Sequence, residues 1–192
     1  MHTHIDIGWE FILKMGENKI IVDHQKLEYT GVFDVGGLMN CIDSWMIEHT
    51  MEKKTDKLVE QETPQGKFIE WQISPWTKMT DYMRYWMKIR TLMYNVKKVD
   101  VMKDDKKLKL SHGRILMVFD GFLEFDYENR WTEKPLHVFI ATLYHKFMYK
   151  SYTEKFEQEL TNLTHQIYHH VEQYLNMYRH YRPVTRVPHW YY

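Results

Sequence analysis

The sequence predicts an α+β domain: a curved antiparallel sheet wrapped around a long C-terminal helix, with a short helix after the first strand. Three observations point there. Apolar residues at Tyr152, Phe156, Leu160, Leu163, Ile167, Val171, Tyr174 and Tyr178 recur in steps of three or four, the period of a helix with one apolar stripe. From about Lys67 onward, the preceding chain alternates apolar and polar residues as strands do. Such a helix needs a sheet to lie on, and the sheet needs a cover for its core face.

The totals suit one domain. The chain has 192 residues, 44% hydrophobic and 27% charged, an ordinary globular balance. Aromatic residues make up 16% and there are 13 Met, so large flat or flexible side chains fill much of the core. Basic and acidic residues are equal at 26 each, so no global field attracts nucleic acid or an anionic membrane. A single cysteine, Cys41, excludes an internal disulfide framework. The first residues carry no basic region followed by an apolar run, and no stretch approaches the roughly 20 apolar residues of a membrane span. The expected compartment is the cytoplasm.

Taken in order, residues 1–25 form an N-terminal extension. Ile7–Leu13 and Lys19–Val22 suggest a small hairpin around Met15–Asn18. Lys26–Phe33 is the first firm strand. Asp34 then suits a helix N-cap, its carboxylate accepting a free first-turn amide. Leu38, Cys41, Ile42, Trp45 and His49 continue the helix. Gly36 and Gly37 fit a flexible helix entry, since the longer glycine motif of a phosphate cradle is absent. Lys54–Glu62 is charged, as an exposed edge strand should be. Thr63–Gly66 turns the chain into Lys67–Ser74, and Pro75 ends that strand.

Asp81–Val101 places Met83, Tyr85, Met87, Ile89, Thr91 and Met93 on the face toward the helix. Lys103–Lys106 turns into Lys107–Tyr127. Its period slips near Ser111–Gly113, where one inserted residue, a bulge, restores the face. Gly121 inside that strand marks a bend or room for another group. Leu136–Phe147 is expected as the last strand, opened by Pro135. The domain spans 26–178, and 179–192 is a basic and aromatic tail.

This order resembles the helix-grip fold of the START and Bet v 1-like (SRPBCC) superfamily. The resemblance covers Lys26–Tyr178 and rests on Leu27–Phe33, the helix Leu38–His49, the hairpins ending at Phe147 and the helix Tyr152–Tyr178. Two features depart from it. Thr50–Lys57 is too charged and short for the second short helix of many members. Thr63–Gly66 stands where the plant allergens have a glycine-rich loop. The resemblance implies a cavity between helix and sheet that holds a lipid-like or other apolar molecule. A few members are cyclases or hydrolases, so the fold alone does not fix the activity.

The candidate ligand-binding set follows from the inward faces: Tyr85, Met87, Met93, Met117, Phe119, Phe125 and Tyr127 from the strands, and Phe156, Leu160, Leu163 and Ile167 from the helix. Tyr85, Thr91, Asn95 and Tyr127 bring polar ends into this lining. That composition suits a small-molecule pocket and equally a satisfied core.

The other constellations are weaker. His165, His169 and Glu172 share one helix, and the four-residue step is zinc-ligand spacing. Their face lies opposite the apolar stripe, in solvent, so no buried catalytic metal or cofactor is expected, and a solvated polar face is preferred to an adventitious or surface metal. His137 and His145 lie roughly 25 Å apart along a strand, too far to share an ion. Cys41 reads as a small buried thiol, and Ser44 lacks the glycines of a nucleophile elbow. Asp120, Glu124 and Asp126 suit cross-strand pairing with Arg84, Lys88 or Arg90. Trp86, Leu92, Leu116, Val118, Phe122, Val138 and Ile140 fall on the outer sheet face. Such a row calls for cover by the N-terminal hairpin, a second subunit in a homodimer, or a protein partner. The tail joins Arg179, Arg182 and Arg186 to Tyr181, Trp190, Tyr191 and Tyr192, a mixture that can stack on nucleic acid or dock on protein.

The expected function is binding of an apolar or amphipathic small molecule between helix and sheet, without a committed catalytic set. The alternatives are an interaction module with a filled interior and a cyclase- or hydrolase-like enzyme using Tyr85, Tyr127 or His137.

Overall fold

A computed structural model describes residues 18–81, 83–103, 106–125, 127 and 135–181, with side chains in the last helix from residue 154 on. The elements are β1 (Asn18–Phe33), α1 (Val35–Glu48), β2 (Thr55–Thr63), β3 (Gly66–Ile73), β4 (Trp76–Lys78), β5 (Met83–Lys103), β6 (Lys106–Phe125) and α2 (Pro135–Asn176). The six strands form one antiparallel sheet in the order β1-β6-β5-β3-β2, with β4 pairing β5. β1 and β2 occupy opposite edges, and α1 makes the crossover between them. α2 packs on the sheet and against α1.

Local chemistry explains most boundaries. Asp34 caps α1, its carboxylate accepting the Gly36 N–H at 3.2 Å. Gly37 has a second role beyond easing the helix entry. A Cβ there would lie 2.1 Å from the Tyr174 hydroxyl, so its absence lets α2 approach. β2 is exposed along almost its whole length, and its charges guard that edge.

The slipped period resolves into a bulge opposite Gly113. Tyr94 pairs Arg114 and Lys97 pairs His112, so the inserted residue belongs to β5 rather than β6. Asn95 adopts a left-handed φ of 54° there. The flanking strands give way with glycine: a Cβ on Gly66 or Gly113 would come within 2.8 Å of the Asn95 carbonyl carbon or 2.7 Å of the Tyr94 oxygen.

A second irregularity lies in β1. Val22 pairs Gly121 and Gln25 pairs Phe119, leaving Asp23 and His24 opposite Asp120. The His24 N–H donates to the Asp120 carboxylate at 2.8 Å. β1 is thus one strand from Asn18, and the expected boundary at residue 25 falls inside it. Ile7–Leu13 lies outside the described residues.

One expected strand is a helix. Leu136–Phe147 forms the start of α2. Its residues satisfy both periods: Leu136, Val138 and Ile140 alternate, while Leu136, Ile140, Leu143 and Phe147 step by four, three and four. Pro135 sits at the first helical position, where its missing N–H costs nothing and its φ is already helical. Val138 and Ile140 therefore leave the outer sheet row, and His137 and His145 lie along a helix.

Candidate functional site

The interior lies between α2, α1 and the inner face of the sheet. Met83, Tyr85, Met87, Ile89, Thr91 and Met93 of β5 are all buried, as the alternation predicts. Opposite them on β6 stand Ile115, Met117, Phe119, Leu123 and Phe125. α2 contributes Phe156, Leu160, Thr164, Ile167, Val171 and Leu175. Leu163 and Tyr174 lie at the edges of this stripe, half-buried. The buried line is therefore turned slightly from the one the apolar residues suggest, and its middle member is polar.

Thr164 is the residue that pattern reading missed. It is fully buried, donates to the Leu160 carbonyl at 2.8 Å and lies 3.4 Å from the Met87 sulfur. It rests over Gly121, where a Cβ would meet its Oγ1 at 3.1 Å and Leu160 Cγ at 3.4 Å. Gly121 is thus the room for another group that the sequence suggests, and the group is α2 itself. The sequence signal was the four-residue step from Leu160, overlooked because threonine is polar.

Of the eleven proposed ligand-binding residues, nine are buried in one cluster: Tyr85, Met87, Met93, Met117, Phe119, Phe125, Phe156, Leu160 and Ile167. Leu163 packs against it. Tyr127 stands apart, its ring 5.3 Å from both the Lys78 ammonium and the Arg84 guanidinium. Asn95 is exposed at the bulge. The buried polar groups include Tyr85, Thr91 and Thr164, and Gln25 Oε1, on the β1 position paired with Phe119, is buried as well.

Tyr85 and Thr91 share a property. The Tyr85 hydroxyl and Thr91 Oγ1 are buried without a well-formed hydrogen bond. Burial first, and the Glu159 carboxylate second, push the Tyr85 phenol well above its ordinary range, so it keeps its proton. The Tyr85 ring meets Phe156 edge-on at 6.5 Å. Six residues along β5 separate the two groups, about 20 Å at strand rise. Surface grooves among the described residues lie elsewhere, including those between α1 and α2, on the outer sheet face, and between β1 and the end of α2.

The outer face is largely paired. Arg84 bonds Glu124 at 2.6 Å as cross-strand alternation suggests, but Arg90 turns to Glu70 at 2.7 Å and Asp120 is held by His24. Trp86 stacks on Phe122 at 4.1 Å and 10°. Leu92 is buried, while Trp86, Leu116, Val118 and Phe122 are half-buried. Cys41 is half-buried rather than enclosed, and burial pushes its thiol up, away from a reactive thiolate. Asp126 and the tail beyond Tyr181 lie outside the described residues. No helix among the described residues is long and apolar enough to cross a membrane. Comparison with protein-family models, with curated proteins and with solved structures returned no match.

Proposed function

We propose that the chain binds one apolar or amphipathic small molecule between α2 and the sheet. The observation that carries this reading is a set of poorly satisfied buried polar atoms, Thr91 Oγ1, Gln25 Oε1 and the Tyr85 Oη beside the Glu159 carboxylate, in a methionine-rich interior. Each such atom costs about 1–3 kcal/mol when buried without a partner. A ligand with an apolar body and a polar end removes part of that cost. Met87, Met93 and Met117 supply unbranched side chains that re-pack around a guest. Entry requires α2 to tilt, along the half-buried seam of Leu163, Tyr168 and Tyr174. The order of strand, short helix, antiparallel strands and long packed C-terminal helix supports the helix-grip resemblance on which the reading also leans. Among the described residues of the interior no acid–base pair is brought together, and the reading offered is of binding.

Native mass spectrometry of the purified chain, followed by titration with a dansylated fatty acid, tests it. A saturable one-to-one complex that Thr91→Val or Tyr85→Phe weakens is the expected result. A bare mass with no saturable fluorescence change rejects the reading, and leaves an interior that serves packing alone.

A further inference from the structure

The groove between α1 and α2 has a volume of about 560 Å³ and gathers four imidazoles, those of His49, His165, His169 and His170. The helical period puts His165 and His169 away from the apolar stripe, and both are exposed. That face nevertheless looks toward the end of α1.

Two of these rings have a defined tautomer. His49 closes α1, with its ring stacked on Trp45 at 3.9 Å. Its Nδ1 lies 2.9 Å from the Trp45 carbonyl oxygen, so Nδ1 carries the proton. With Nδ1 protonated, the neutral ring carries its lone pair on Nε2, which lies 3.2 Å from Oε1 of the Gln166 side-chain amide. That amide donates once its oxygen and nitrogen exchange places. His169 repeats the pattern, with Nδ1 3.1 Å from the Glu172 carboxylate and Nε2 free. An imidazole whose other nitrogen donates to a carbonyl or carboxylate is the form found in metal ligands. His165 stands one helical turn before His169, so the two rings rise from the same side of α2.

We propose that this groove is a site for a divalent transition cation of the imidazole-preferring class (zinc, nickel or copper). His165 and His169 form the primary pair, with His49 as the ligand from the facing wall. His165 is exposed and free to choose the rotamer that turns its ring to the ion. Glu172 acts behind His169 as a positioning residue. Magnesium and calcium are not expected to compete, since they demand a shell of oxygen donors.

The grouping among the described residues whose ligand atoms already lie within 4.8 Å of one another is Asp23, His24 and Asp120 at the β1 bulge, whereas the groove imidazoles must turn to converge on an ion. It is the competing site in any titration. The chain also has 12 histidines, so the informative readout is loss on substitution rather than uptake. The experiment is isothermal titration of the chelator-stripped full chain with zinc, alongside nitrogen hyperfine structure in the paramagnetic resonance of bound copper. One cation should bind tightly enough to titrate in excess magnesium. His165→Ala and His169→Ala should each weaken it, and Glu172→Gln should cost about tenfold, the usual effect of removing a carboxylate behind a ligand. His24→Ala should leave the isotherm unchanged. Circular dichroism checks that each variant is folded. The proposal is overturned if the His165→Ala/His169→Ala double variant binds zinc as the parent does, if binding follows His24, or if no heat appears.

Discussion

The two sides of α2 do different work with the same backbone. Toward the sheet it presents Leu160, Thr164, Ile167, Val171 and Leu175, all fully or almost fully buried. Toward α1 and solvent it presents His165 and His169, both exposed. The first side is held by apolar burial and by the fit over Gly121. The second side meets its neighbour through polar contacts, such as His49 to Gln166. Stability should therefore sit on one side and metal chemistry on the other, and substitutions can test whether the two separate.

The largest effect is expected from Leu160→Ala. The side chain is completely buried against the sheet, and truncation leaves a cavity that the helix cannot close without moving. A loss of about 2–5 kcal/mol is expected in urea unfolding. Gly121→Val comes next. Even a single Cβ there is tight against Thr164 and Leu160, so a branched side chain pushes α2 outward. About 1–3 kcal/mol should be lost, with the midpoint shifted and the denaturant slope retained. If Gly121→Val is neutral, the close seating of α2 is wrong, and with it the enclosed interior.

Tyr85→Phe should act in the opposite direction. The hydroxyl is buried without a well-formed hydrogen bond, so deleting it removes a desolvated group and keeps the ring against Phe156. Stability should be unchanged or rise by about 1 kcal/mol in the same assay. Affinity for the fatty-acid probe should fall. A fall in both would mean that the contact of the hydroxyl with the Glu159 carboxylate holds the fold together.

The outer sheet face gives a smaller, pH-dependent contrast. Glu70 receives Lys57 at 2.6 Å and Arg90 at 2.7 Å. The bond from Lys57, followed by that from Arg90, outweighs burial and holds the Glu70 carboxyl below the ordinary glutamate range. The resulting stabilisation is complete above that range and is lost as pH falls through the lowered value. Glu70→Gln should flatten the acid limb of the stability profile and leave the inner face unaffected.

The sheet was legible where one period alone fitted. The odd positions of β5 point inward because only alternation fits them, and Asp34 caps α1 because a short carboxylate before an apolar helix has few other uses. Leu136–Phe147 fitted two periods, and the choice depended on a helix continuing through Tyr152, which no local window contains. The slip near Gly113 was visible, but a break in one strand does not say which partner holds the extra residue. Asn95 holds it because asparagine tolerates a positive φ and glycines face it on both sides. The interior set followed from alternation. The polar member Thr164 and the outlier Tyr127 did not, since their placement depends on a neighbouring glycine and on two cations from other strands. The His165 pair was visible as spacing, but the wall supplied by His49 is more than a hundred residues away in sequence.

The smallest stability effect is the most informative for the comparison. His165→Ala removes an exposed ring from the polar side of α2, and alanine favours the helix. Unfolding free energy should stay within about 0.5 kcal/mol of the parent without metal. Added zinc should raise the midpoint of the parent, because an ion bound to the folded state alone stabilises it by mass action. The same zinc should do less for the variant. If His165→Ala instead destabilises the metal-free chain as strongly as Leu160→Ala does, that histidine is part of the α1–α2 packing. The two sides of α2 would then be one structural unit.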